Sequence, residues 1–141
     1  QYTMIPVPHR DEFSDTHAIV VEGPNSKLLF LPDHDDWGKT LESSGFEDIR
    51  GWLLSLDIDF ALVDGTFWDN SELRGRDMSQ IPHPTISETL ERIGNRGEED
   101  PDIIFIHINH TNPVLDKQSA QYGEVASKGW SVAKQGSSIV L

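Results

Sequence analysis

The sequence predicts a mixed α/β fold of the α+β kind, and three observations carry that reading. Short apolar runs recur along the chain, as in Lys27–Leu31 and the isoleucine-rich, β-branched Ile103–Ile108. Helical stripes lie between them: Phe46, Ile49, Leu53 and Leu56 share one face, as do Ile86, Leu90 and Ile93. Polar residues bunch directly after the apolar runs, where open sheets place their sites.

Met4–Pro8 reads as a first strand, and His17–Glu22 as a second after a polar loop. Gly23-Pro24-Asn25-Ser26 is a turn signal before Lys27–Leu31, so 17–31 reads as a hairpin. The helix around Phe46 to Leu56, with Trp52 beside its stripe, leads into a buried strand at Leu56–Val63. Thr85-Ile86-Ser87-Glu88 fits a capping box, in which the Thr hydroxyl and the Glu carboxylate satisfy free backbone donors at a helix start. Ile103–Ile108 reads as a central strand, because strands buried on both faces lose the polar alternation. Asp116–Lys128 reads as a helix, and Trp130–Ala133 with Ser138–Leu141 as a closing hairpin around Gln135-Gly136.

The 141 residues suit a single domain spanning 1–141. Lys and Arg number 11 against 24 Asp and Glu, a net charge of −13. That balance argues against a nucleic-acid groove or an anionic membrane surface and suits a cation or a small polar substrate. Arg74 and Arg76 form the local basic pair. Cysteine is absent, so thiolate metal sites and disulfides are excluded and a metal would be held by His, Asp and Glu. The apolar runs fall far short of the roughly 20 residues that cross a bilayer. No signal peptide is visible, which points to the cytoplasm, and a start at Gln1 suggests a piece of a longer chain.

The polar bunches hold the candidate site residues. Asp33 follows Leu28–Leu31 and Pro32, where a carboxylate at the mouth of a sheet could bridge cations or cap a helix before Trp37. Asp35 and Asp36 read as solvated neighbours. His107, within the run 103–108, would be a hydrogen-bonded core histidine or a metal ligand. His9 ends the first strand and is either a ligand or a loop residue. His83 stands between Pro82 and Pro84, in a rigid turn that could also fix a proton donor. His110, past the strand end, reads as exposed. Ser14, Asp15 and His17 lack the glycine-rich elbow of a nucleophilic serine.

Taken in order, Phe30-Leu31-Pro32-Asp33 ahead of Trp37, Leu62-Val63-Asp64-Gly65-Thr66-Phe67-Trp68, Ile106-His107-Ile108-Asn109 and Thr111-Asn112-Pro113-Val114-Leu115 resemble the second half of a metallo-β-lactamase-fold protein of the pyrroloquinoline quinone (PQQ) synthesis protein B group. The resemblance implies half of an αββα sandwich, a mixed sheet with helices on one face, with 1–141 as the C-terminal half of the domain. It implies a divalent metal held by His9, Asp33 and His107, zinc foremost with iron or manganese as alternatives. Asp33 and His83 would be the catalytic pair, His83 falling where related hydrolases carry a proton-donating histidine. The His-x-His-x-Asp-His cluster normally supplied by the first half of such a fold is absent from this sequence.

The function implied is that of a metal-dependent hydrolase-like protein similar to the PQQ group, acting on a small-molecule substrate in quinone cofactor maturation as carrier, hydroxylase or hydrolase. Its apolar surface would need the missing N-terminal half or another chain to cover it. A non-enzymatic binding module of the same fold is the alternative. A phosphodiesterase or tRNA-processing nuclease is a third class, which the charge of −13 opposes.

Overall fold

A computed structural model describes residues 1–10, 14–73 and 82–141. Asp11–Phe13 of the first polar bunch and the basic pair Arg74 and Arg76 lie outside the described residues. Six strands, β1 (Tyr2–Val7), β2 (Thr16–Glu22), β3 (Lys27–Leu31), β4 (Phe60–Asp64), β5 (Asp102–Ile106) and β6 (Ser131–Val132), form one sheet in sequence order. β1, β2 and β3 pair antiparallel, and β3 through β6 pair parallel.

The hairpin at 17–31 is present, with Ile19 opposite Phe30 and Val21 opposite Leu28. Gly23 N–H closes its turn on the Ser26 carbonyl at 3.0 Å. Each parallel step then needs a crossover. Helices α1 (Trp37–Ser44) and α2 (Ile49–Ser55) join β3 to β4, α3 (Ile86–Ile93) joins β4 to β5, and α4 (Ala120–Ser127) joins β5 to β6. Because the strands advance in one direction and parallel crossovers are right-handed, all four helices fall on the same face of the sheet. Their apolar stripes meet Ala18, Leu29, Leu31, Ala61, Val63, Ile103 and Phe105 in one core, which also buries Trp37, Trp52 and Trp130.

Local chemistry sets the helix ends. Asp36, not Asp33, caps α1 by accepting from Lys39 N–H at 2.8 Å. Gly45 ends that helix in the left-handed conformation at φ 76°. Thr85 caps α3 as expected, but Glu88 turns outward to accept from Arg92 at 2.9 Å, so the box is only half formed. The strand expected from Leu56 begins at Phe60, because Leu56 caps α2 and Asp57 adopts φ 52°. The closing hairpin is not formed. β6 pairs with β5, and the tail instead reaches the β2–β3 turn, where Ser26 Oγ donates to the Val140 carbonyl at 3.3 Å.

The sheet's second face is also apolar, carrying Tyr2, Met4, Phe30, Leu62, Ile104 and Ile106 by register. Tyr2, Met4 and Phe30 are exposed there. Between this face and the tail lies a cavity of about 540 Å³ lined by Leu28, Leu62, Ile104, Ile106 and Ile139. No helix among the described residues is long and apolar enough to cross a membrane.

Candidate metal centre

β1 and β3 are each antiparallel to β2, so they run the same way, and β4 and β5 are parallel to β3. The C-terminal ends of all four strands therefore share one edge of the sheet. This is where doubly wound sheets hold ligands. His9 follows β1, Asp33 follows β3, Asp64 closes β4 and His107 follows β5. His83 joins them from the segment ahead of α3.

One ligand atom each from Asp33, Asp64, His83 and His107 lies within 4.8 Å of the others, a grouping suited to a metal ion. His9 flanks the group through Asp33, its Nε2 3.1 Å from Asp33 Oδ1. On its other side Asp33 Oδ1 lies 3.3 Å from His83 Nδ1. Thus all four residues singled out in the sequence, His9, Asp33, His83 and His107, come to one edge, and Asp64 joins them unforeseen. Its signal was available: an aspartate ending the apolar run Phe60–Val63 is delivered to the same edge as Asp33.

Asp64 is fully buried yet well supplied with donors. The Thr66 backbone N–H and hydroxyl reach its Oδ1 at 2.9 and 2.6 Å, and His83 Nδ1–H reaches its Oδ2 at 2.8 Å. The Thr66 hydroxyl proton is thereby committed to Asp64, so the Thr66 oxygen accepts from His107 Nδ1–H at 3.0 Å. That bond leaves the lone pair of His107 on Nε2. Burial opposes charge on His83, but the hydrogen bond to Asp64 and the charges of Asp64 and Asp33 outweigh it and raise its pKa above the usual value.

His107 does not sit inside a buried strand as its sequence context suggests. β5 stops at Ile106, and His107 turns out of the sheet at φ 58° with its side chain exposed. Asp35 is likewise not a solvated neighbour: it lies against His9 Nδ1 at 3.5 Å and Lys39 Nζ at 2.9 Å. His110 is exposed, and His17 lies within β2.

Two residues fix the loops beneath the group. Gly65 N–H donates to the Ile106 carbonyl at 2.9 Å, and a Cβ on Gly65 would stand 2.7 Å from Ile108 Cδ1. Buried Asn112 donates to the Gly65 and Thr66 carbonyls at 3.0 and 3.3 Å and accepts from Val114 N–H at 3.1 Å, clamping the β4 loop to the β5 loop.

The donor set fits a divalent cation. Asp33 Oδ1 is buried without a hydrogen bond among the described residues, beside the second carboxylate of Asp64. Two carboxylates so close are costly unless a positive charge joins them. Imidazole and carboxylate ligands without thiolate suit zinc, iron or manganese.

Comparison with known proteins bears on the fold. No protein-family model matches the sequence. Coenzyme PQQ synthesis protein B (PqqB) of Pseudomonas putida strain GB-1 is 34% identical over 144 residues, covering 95% of this chain and 44% of its own. PqqB of Pseudomonas syringae pv. syringae is 38% identical over the same coverage. The chain is a homologue of PqqB. Its fold matches that of zinc-bound PqqB from Methylobacterium extorquens with a TM-score of 0.67 at 22% identity, over 99% of this chain and 46% of that one. The expected mixed α/β sheet with helices on one face is therefore present, and it matches about half of the PqqB fold. The chain spans less than half the length of the PqqB proteins it matches.

Proposed function

We propose that this chain carries one half of a metal-dependent active site acting on a small molecule in a PQQ-synthesis-like reaction. The observation that supports it is the convergence of Asp33, Asp64, His83 and His107 within 4.8 Å at the strand ends, with His9 alongside. His9, Asp33 and His107 would be the ligands, with Asp64 available as a fourth, and zinc is the ion the donor set and the zinc-bound relative favour. A bound divalent ion would supply Lewis acidity, bringing the pKa of a water down towards about 7.

The chain's own residues do the rest. Asp33 would orient the water through the carboxylate that already faces His9 and His83. His83 holds a proton at Nδ1 against Asp64, and its raised pKa keeps the ring charged further up the pH scale than a free histidine. It would serve as the proton donor to a leaving group. The apolar second face of the sheet would be covered by the rest of a longer protein or by another chain, completing an αββα sandwich.

Metal content by mass spectrometry on the purified chain tests this, alongside Asp33→Ala and His107→Ala. Stoichiometric metal lost in both variants is the expected result. A parent chain that takes up no zinc, with or without added Zn²⁺, would overturn the reading that this half binds metal by itself. The second reading is a non-enzymatic binding module of the same fold. Metal binding without hydrolysis or oxygen-dependent turnover in the longer protein would select it.

A further inference from the structure

We infer that Glu72 is a positioning residue that latches the loop carrying His107 to the loop carrying Asp64 and Thr66. The inference rests on the reading of this edge as a metal centre, and Glu72 itself stands outside the group that would hold the ion.

A tight turn brings Glu72 back over its own loop. Asp69 Oδ1 accepts from the Ser71 backbone N–H at 2.8 Å and from the Ser71 hydroxyl at 2.7 Å, and Glu72 N–H donates to the Asp69 carbonyl at 3.3 Å. The half-buried Glu72 carboxylate then uses both oxygens. Oε2 accepts from the Trp68 backbone N–H at 2.6 Å, and Oε1 accepts from the Thr111 hydroxyl. Trp68 follows β4 and Thr111 follows β5, so one side chain reaches across 39 positions of sequence to join two loops of the site.

The network continues inward from both partners. The peptide unit that donates to Glu72 accepts on its other side, where the Phe67 carbonyl takes the Ile86 N–H at 2.9 Å at the start of α3. The Phe67 ring meets that of His83 edge-on, with centroids 5.9 Å apart. Thr111 commits its hydroxyl proton to the carboxylate, so its oxygen accepts from Asn109 Nδ2 at 2.7 Å. Asn109 N–H in turn donates to the carbonyl of Thr66, the residue whose hydroxyl holds His107.

The two loops are thus fastened twice, by buried Asn112 at their base and by Glu72 at the mouth. His107 heads the loop so held, exposed and already out of the strand at φ 58°. Hydrogen bonds to an ionised acceptor are about twice as strong as neutral ones, which makes the carboxylate the firm point of the outer fastening. Without it Asn112 still ties the base, so the fold persists while the mouth loosens around His107. Supporting partners of a metal ligand typically govern about 10- to 100-fold in affinity, and Glu72, acting through intermediaries, falls at the low end.

The test compares Glu72→Ala, Thr111→Val and Thr111→Ser in the 141-residue chain, by the ring C–H signals of His107 without metal and by titration with Zn²⁺ alone. Glu72→Ala and Thr111→Val should both shift the His107 signals and weaken Zn²⁺ binding about 10-fold. Thr111→Ser keeps the hydroxyl and should match the parent. Combining Glu72→Ala with Thr111→Val should lose no more Zn²⁺ affinity than Glu72→Ala by itself, because Thr111 acts through Glu72. If Glu72→Ala does not fold, the valine and serine variants decide the matter. Lowered stability with unchanged His107 signals and unchanged Zn²⁺ affinity would reduce the contact to a turn staple and overturn the inference, as would additive losses in the double variant. His107 signals that move in a chain taking up no zinc support the latch while removing the metal reading.

Discussion

His83 donates its Nδ1–H to Asp64 Oδ2 at 2.8 Å, and the same nitrogen lies 3.3 Å from Asp33 Oδ1. The histidine thus sits between two carboxylates, hydrogen-bonded to the fully buried Asp64 and in the field of Asp33 at the mouth of the site. Burial pulls the His83 pKa down, and the two carboxylates more than reverse it. Because the folded pKa is raised, the stabilisation is complete below the unfolded value and is lost as pH rises through the folded one. Asp64→Asn removes the larger of the opposing carboxylate contributions and leaves burial in charge. The His83 pKa, followed by the ring C–H signals in an NMR titration, should then fall. A His83 pKa that stays raised in Asp64→Asn would show that Asp64 is not what holds the proton.

His34, next to Asp33, behaves in the opposite sense. It is fully buried against Trp37, with ring centroids 4.7 Å apart, and its Nδ1 meets Thr40 Oγ1 at 2.8 Å. Burial lowers its pKa from 6.5 to about 4, against the charges of Asp64 and Asp36. The unfolded chain therefore takes up a proton that the folded chain refuses. Stability is complete above the unfolded pKa and declines as pH falls towards the folded one, by about 2 kcal/mol at about pH 5 from this residue. Urea denaturation at neutral and mildly acidic pH should show that loss, and His34→Leu should flatten it. An equally steep acid loss in His34→Leu would place its origin elsewhere.

How far the sequence carries this site depends on range. Leu29 and Leu31 alternate into the core and deliver Asp33 to the sheet edge, so Asp33 is legible from its strand. Asp64 is legible in principle by the same logic. Its importance comes from partners 2, 19 and 31 positions away, Thr66, His83 and Asp33, and no local pattern encodes that meeting. Ile106 and Ile108 flank His107 and by their pattern place it on a buried strand. The turn at φ 58° is imposed by the loop through Asn112, which clamps it to Gly65 and Thr66. Asp36 took the capping role considered for Asp33, since only Asp36 directly precedes the first helical residue, Trp37. The apolar residues of the tail predict a strand. β6 pairs over only two residues, and the end of the tail instead meets the β2–β3 turn.

Gly65 separates Asp64 from Thr66 and packs tightly on β5. An added Cβ would meet Ile108 Cδ1 at 2.7 Å, Phe105 Cβ at 2.9 Å and the Ile106 carbonyl at 3.0 Å. Two of those neighbours are close to the backbone and do not swing aside. Gly65→Ala should therefore cost about 1–3 kcal/mol in chemical denaturation, as overpacking does. It should also disturb the Thr66 to His107 bond, because the loop must lift. Gly51→Ala is the control: its Cβ would make only ordinary contact at 3.5 Å within α2, and alanine there should be neutral or stabilising by up to about 1 kcal/mol. Equal effects at the two glycines would contradict the tight approach at Gly65.

His107 holds a backbone conformation that costs a side-chain-bearing residue about 1 kcal/mol relative to glycine. Residues kept in such a region are sustained by their surroundings, and they concentrate where a side chain has work to do. Here the Thr66 hydroxyl holds the His107 ring by Nδ1, and the lone pair on Nε2 is directed away from that bond. Two substitutions separate conformation from chemistry. His107→Ala loses the ring and keeps the strain, whereas His107→Gly loses the ring and relieves it. The glycine variant should be the more stable of the two by about 1 kcal/mol, while both lose zinc binding alike. An alanine variant as stable as the glycine one would mean that the turn relaxes without the imidazole. Zinc retained in either variant would remove His107 from the ligand set and leave His9, Asp33 and Asp64 to hold the metal.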